Sequence, residues 1–92
     1  MEYYRTDWGY AYGPKDGEPL GKVVVSITAA GSLLIEHTEV DPSLRGEGRA
    51  RALVMLVVEQ ARTEGRLIVP RCPYAARVLS GEPGLQPLID QS

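Results

Sequence analysis

Three side chains in this sequence have the types that can attack a carbonyl or move a proton: Cys72, His37 and Tyr74. Cys72 and His37 are the only residues of their kinds. Cys72 stands just before Pro73, and proline suits the first position of a helix. A thiol at a helix N-terminus, with Arg71 beside it, is biased toward the thiolate. Cys72 can then serve as a nucleophile that carries a group covalently. The same residue also reads as a small buried hydrophobe. His37 falls in an extended segment where period-two alternation places it on one face with Ile35 and Glu39. Its ring titrates near neutrality, which suits a general base. The other reading is a half-buried histidine bonded to backbone. Tyr74 is either a proton donor or a packing residue of the helix that Pro73 opens. A single Cys excludes an internal disulfide, and one Cys with one His supplies no metal cluster.

The second feature is the segment Val40-Asp41-Pro42-Ser43-Leu44-Arg45-Gly46-Glu47-Gly48-Arg49-Ala50. Two glycines let the chain turn tightly and bring its amides close to a ligand. A helix beginning near Gly48 leaves its first N–H groups without intrahelical acceptors, and its dipole adds positive potential there. The combination is an anion site suited to a phosphate or pyrophosphate. Arg45, Arg49 and Arg51 add charge. Neither common nucleotide motif fits. The Walker Gly-Lys-Ser/Thr is absent, and Arg51 stands where a dinucleotide fingerprint has its third glycine. The plain alternative is a tight turn that binds nothing.

The surrounding elements can be read from periodicity. The 92 residues make one domain, covering 1–92. Tyr3 to Gly13 reads as a loosely specified strand. Gly13 to Pro19 is a turn, and Leu20 to Ala29 a β-branched strand. Ala30-Gly31-Ser32 turns the chain into a strand over Leu33 to Val40. These strands form an antiparallel meander. Ala50, Leu53, Val54, Val57, Val58 and Ala61 then recur at helical spacing, with Gly65 placed as a C-terminal cap. Arg66 to Pro70 is a short strand. Ala75 to Leu79 is a second, shorter helix, ended by Gly81 to Gly84, and Leu85 to Ser92 reads as irregular. Strand, helix and strand in the middle of the chain predict a right-handed crossover joining parallel neighbours. The expected fold is α/β (α+β): a mixed sheet with one long helix packed on it. A sheet edge left bare could pair with another copy, though the oligomeric state is not readable from sequence.

Composition sets limits on partners. The net charge is −2 and the pI near 5.3, which argues against general nucleic-acid binding. Residues 45–77 nevertheless carry +4 against −6 for the rest, a basic island that suits a small polyanion or is an uneven solvated surface. No apolar run is long enough to span a bilayer. The absence of an export signal and the free thiol predict a cytoplasmic setting.

Arg45-x-x-Gly48-x-Ala50, after a strand and opening a long helix, resembles the acetyl-CoA motif of the GNAT superfamily of N-acetyltransferases. The wider string His37-Thr38-Glu39-Val40, then Arg45-Gly46-x-Gly48-x-Ala50, then Val69-Pro70-x-Cys72-Pro73-Tyr74, is similar to a subfamily of very small stand-alone GNAT-like domains. The resemblance spans roughly Leu20 to Leu79. It implies that acetyl-CoA is the co-substrate, with no metal. Backbone amides of Arg45, Gly46, Glu47, Gly48, Arg49 and Ala50 would hold the pyrophosphate. Glu39 and Val40 would line the pantetheine arm, and Cys72 and Tyr74 would lie close to the cofactor. Arg49 departs from the apolar residue expected there. The parallel strands would splay to admit the thioester, and Tyr74 would protonate the departing thiolate. The acceptor would be an amine, a small molecule or a protein lysine, with Glu36, Glu39 and Asp41 available to attract it. The alternative is an acetyl-CoA binding module with little or no catalysis, acting as a sensor or partner protein.

Overall fold

The computed structural model describes residues 1–91. Its first strands come from the segment that the sequence suggests is one loose strand. It is instead a hairpin of β1 (Glu2–Thr6) and β2 (Gly9–Gly13). The turn is hidden in sequence because it has neither proline nor an Asn-Gly pair. Thr6 Oγ1 closes it by accepting the Trp8 N–H at 3.2 Å. Gly9 is needed on the far side, because a Cβ there would collide with the Val23 carbonyl.

β3 (Gly21–Ile27) and β4 (Leu33–Val40) extend the meander, and β5 (Ile68–Pro70) closes the sheet in the order β1-β2-β3-β4-β5. The first four strands are antiparallel neighbours. β5 lies parallel to β4, with Leu33 opposite Ile68 and Ile35 opposite Pro70. The crossover between them is α1 (Arg49–Glu64), capped at both ends by glycines with positive φ, Gly48 and Gly65. α2 (Pro73–Ser80) follows β5.

Helical spacing drives the packing. Leu53, Val54, Val57, Val58 and Ala61 of α1 are fully buried against Val23, Leu33, Ile35 and Ile68 of the sheet. Ala75, Val78 and Leu79 of α2 complete this core. Each large apolar side chain so buried contributes about 1.5–3 kcal/mol. Ala50, the first residue of the expected stripe, is only half-buried.

Two expectations need correction. The tail is not irregular from Leu85 to Ile89, while Ser92, its last residue, lies outside the described residues. Pro83–Leu88 forms a 3₁₀ turn that buries Leu85, and Ile89 bridges in parallel to Ile68. The Asp90 N–H donates to the Ile68 carbonyl at 2.8 Å, and Ser32 Oγ donates to Asp90 Oδ2 at 2.7 Å. The tail therefore covers part of the β5 edge. Its apolar residues are spaced without a period, which hides this role. Secondly, β4 is bulged. His37 pairs with Val24 and Ile35 with Val25, which leaves Glu36 without a cross-strand partner. One extra residue reverses the alternation. Ile35 therefore faces the helices, while His37 and Glu39 face the other side of the sheet. No helix among the described residues is long and apolar enough to cross a membrane.

Candidate functional site

The end of β4 runs into a short 3₁₀ turn, Pro42–Leu44, which Asp41 caps by accepting the Ser43 N–H at 2.9 Å. This bond holds the Asp41 carboxyl below the usual carboxylate range. The Arg45 N–H donates to the Pro42 carbonyl and the Glu47 N–H to that of Leu44. Those two amides are therefore used inside the loop. Gly46 and Gly48, at φ 87° and 77°, turn the chain so that the next amides face outward. Among the described residues no acceptor meets the N–H groups of Gly46, Gly48, Arg49, Ala50 or Arg51; the first amide of the helix to find one is that of Ala52, on Gly48. No acidic residue lies in the first turn of α1. A Cβ built on either glycine would meet nothing within 4 Å. The open space above this run of amides can take an oxyanion group.

The three arginines expected beside the loop differ in their engagement. The Arg49 guanidinium lies 4.3 Å from the Tyr12 ring centroid, donates to Tyr3 Oη at 3.3 Å and approaches Glu47 at 3.4 Å. It ties the helix start to the β1–β2 hairpin by cation–π contact. Arg51 pairs with Glu82 at 2.9 Å. Arg45 is exposed, with no ion pair among the described residues.

The free edge of β4 adjoins this loop. β5 pairs with β4 only as far as Pro70, and the Arg71 and Cys72 N–H groups then both donate to the Ile35 carbonyl at 3.1 Å. Beyond that point the strands part. The Asp41 N–H bonds to Leu20 of the neighbouring segment, and antiparallel ladders alternate. The backbones of Glu39 and His37 are accordingly turned toward β3, and those of Thr38 and Val40 toward the gap. Of the expected pair, Val40 offers its backbone to the gap, while that of Glu39 is used in the ladder.

Cys72 and Tyr74 come together at the start of α2, on the helix side of this gap. Cys72 is the N-cap and is 7% exposed. Burial pushes its thiol up, but the Ala75 and Tyr74 amides and Thr38 more than offset this, and the thiol lies below its ordinary value. Thr38 is the residue that sequence reasoning passed over. Its Oγ1 is buried without a hydrogen-bond partner among the described residues, and it lies among the groups that act on the thiol. The available signal was the bulge at Glu36, which turns Thr38 toward the helices, and no sequence pattern announces a bulge. One expected result follows. Alkylation of Cys72 by a small thiol reagent should rise with pH at a midpoint below that of a free cysteine. Thr38→Val should move that midpoint upward and Thr38→Ser should restore it. An unchanged midpoint in Thr38→Val would remove Thr38 from the site.

His37 lies apart from that pair. Its Nε2 is 3.5 Å from Glu39 Oε2, and Lys22 Nζ is 3.1 Å from Glu39 Oε1. Hydrogen bonding first to Lys22 and then to His37 holds the Glu39 carboxyl below its usual range. All three are well exposed on the face away from the helices. His37 therefore has no direct route to the Cys72 proton. No group of three possible metal ligands occurs among the described residues.

A family described as GCN5-related N-acetyl-transferase matches residues 10–88. Among solved structures, an acetyltransferase of Trypanosoma brucei is similar at 31% identity with a TM-score of 0.46. The match covers 67% of this chain and 47% of that one, so the chain spans about half the length of that relative. A comparison with curated proteins finds no match. The matched span takes in β2 to α2, and with them the outward-facing amides, the free edge of β4 and Cys72. The chain belongs to the GCN5-related N-acetyltransferase family.

Proposed function

We propose that the chain binds acetyl-CoA and transfers its acetyl group to an amine. The observation that carries this is the run of unpaired amides at Gly46 and Gly48–Arg51, continuous with a strand edge that leads to Cys72. In this reading the amides and Arg45 receive the pyrophosphate. The free backbone groups of Val40 and Thr38 receive the pantetheine amides. The acetyl thioester is thereby directed toward the gap between β4 and β5.

Cys72 fits the role of acetyl carrier. Its thiolate attacks the acetyl carbonyl carbon, a new carbon–sulfur bond forms, and the bond to the coenzyme sulfur breaks. In this reading Tyr74, partly buried beside Cys72 at the start of α2, gives the departing thiolate its proton. The neutral amine then attacks the acetyl-cysteine. A carbon–nitrogen bond forms, Cys72 leaves as thiolate, and the nitrogen sheds a proton, which restores Tyr74. His37, steadied by Glu39, is available on the opposite face to take a proton from the acceptor as it arrives. The chemistry needs Cys72 reduced, which fits a cytoplasmic setting.

The test is release of coenzyme A thiol from acetyl-CoA with and without small aliphatic amines. The reading expects release that depends on the amine and yields the acetylated product. Binding of acetyl-CoA without amine-dependent release would make the chain a cofactor-binding module instead.

A further inference from the structure

The Thr38 hydroxyl is a buried polar group that the fold does not use. Its Oγ1 meets no donor or acceptor among the described residues. An unpaired hydroxyl in such a place is a burden on the folded state, and an apolar side chain of the same shape avoids it. Packing alone therefore gives no reason for a threonine here.

The sheet and α2 together set where this hydroxyl lies. Thr38 pairs with Val23 on β3, and Val23 belongs to the core beneath the helices. Cross-strand partners share a face, so the Thr38 side chain points to the helix side as well. The Cys72 N–H is anchored on the Ile35 carbonyl, which holds the start of α2 against this part of β4. The Thr38 side chain is thus within reach of the Cys72 thiol, as are the Tyr74 and Ala75 amides.

A donor beside Sγ has a second use once Sγ reacts. When Sγ bonds to an acetyl carbon, the carbonyl oxygen lies only two bonds from Sγ. That oxygen takes up negative charge as the carbon becomes tetrahedral, while the sulfur loses its own. Donors aimed at the developing oxyanion lower the barrier. The amides of Tyr74 and Ala75 are fixed by the first turn of α2. A hydroxyl rotates about a single bond, so that of Thr38 can follow the charge from sulfur to oxygen.

We propose that the Thr38 hydroxyl donates to the acetyl carbonyl oxygen in both tetrahedral states of the reaction, which makes Thr38 a catalytic residue. In the first step the carbon–sulfur bond to Cys72 forms, and in the second the carbon–nitrogen bond. Each time the carbonyl π pair moves onto oxygen. It returns as the leaving sulfur departs, the coenzyme's first and that of Cys72 second. Thr38 keeps its proton throughout. The proposal rests on the covalent route through Cys72 and deepens it.

Two reactions of the same thiol test this, followed in wild type, Thr38→Val and Thr38→Ser at a pH where the thiol is fully ionised. p-Nitrophenyl acetate acetylates the thiolate through a tetrahedral oxyanion and is read by nitrophenolate release, with Cys72→Ala as background. Methyl iodide alkylates it at a saturated carbon and places no charge on oxygen. Thr38→Val should slow acetylation about 10-fold or more and leave methylation within about twofold. Thr38→Ser should recover most of the loss. Thr38→Val should also melt no lower than wild type, because the hydroxyl it removes is unpaired. Equal slowing of both reactions would reduce Thr38 to a group that tunes the thiol, and unchanged acetylation would remove it from the chemistry. A lower melting temperature would show that the hydroxyl has a structural partner. Any of these results would overturn the proposal. p-Nitrophenyl acetate needs no coenzyme site, so the result stands whether or not acetyl-CoA binds. Acetylation of the wild type by acetyl-CoA, read as the mass of the intact protein, tests the acetyltransferase reading separately.

Discussion

Cys72→Ala is expected to bind acetyl-CoA within about twofold of the wild type while losing turnover by on the order of 100-fold or more. Two features of the site separate these effects. The proposed coenzyme contacts are backbone amides at the start of α1 and along β4, and none of them belongs to residue 72. The thiol sits at the other end of the gap, where α2 begins, and in the proposed route it is the one protein group that forms a bond to the acetyl group. Removing it should therefore cost chemistry and spare binding. The fold should survive, because a single buried sulfur atom is lost at a cost of about 1 kcal/mol, and the core of α1 on the sheet is untouched. Incubation of the wild type with acetyl-CoA in the absence of amine should add one acetyl group to the intact protein, and Cys72→Ala should add none. Full turnover in Cys72→Ala would show that the amine attacks acetyl-CoA directly. The perturbed thiol would then be only a wall of the gap, and Tyr74→Phe would become the variant most damaging to turnover.

Parts of this arrangement were legible in the sequence for definite physical reasons. The stripe from Leu53 to Ala61 repeats at helical spacing because one face must be dry, and that face is buried as expected. Gly48 and Gly65 bound the helix because only glycine takes a left-handed conformation there without cost. The β-branched run at Val23-Val24-Val25 and the strand from Leu33 to Val40 were visible in the same way. What was hidden depended on local geometry or on distant partners. The bulge at Glu36 changes which residues meet the helices without changing composition. It turned His37 away from the site and brought Thr38 in. The turn at Asp7-Trp8 is made by one hydroxyl bond and a close backbone approach, which propensity does not record. The tail is ordered by Leu85, Ile89 and Asp90 meeting residues far away in sequence. Within the Gly-rich loop, sequence marked the segment but could not say which amides remain free. The 3₁₀ turn and the loop after it use those of Arg45 and Glu47, and the start of α1 leaves that of Arg51 free as well.

The central claim is that the amides around Gly48 hold the coenzyme, and a matched pair of variants tests it. Gly48 and Gly65 stand at opposite ends of α1, at φ 77° and 66°, and a Cβ on either meets nothing within 4 Å. A side chain at either position therefore brings similar backbone strain, roughly 1–2 kcal/mol, and similar exposure. Only at position 48 does it cover the free amides. Calorimetric titration of acetyl-CoA into wild type, Gly48→Trp and Gly65→Trp compares them directly. The account predicts micromolar binding to wild type, little change in Gly65→Trp, and a Kd at least ~30-fold higher in Gly48→Trp, about 2 kcal/mol. Equal affinity in all three proteins, or no binding to the wild type, would contradict it.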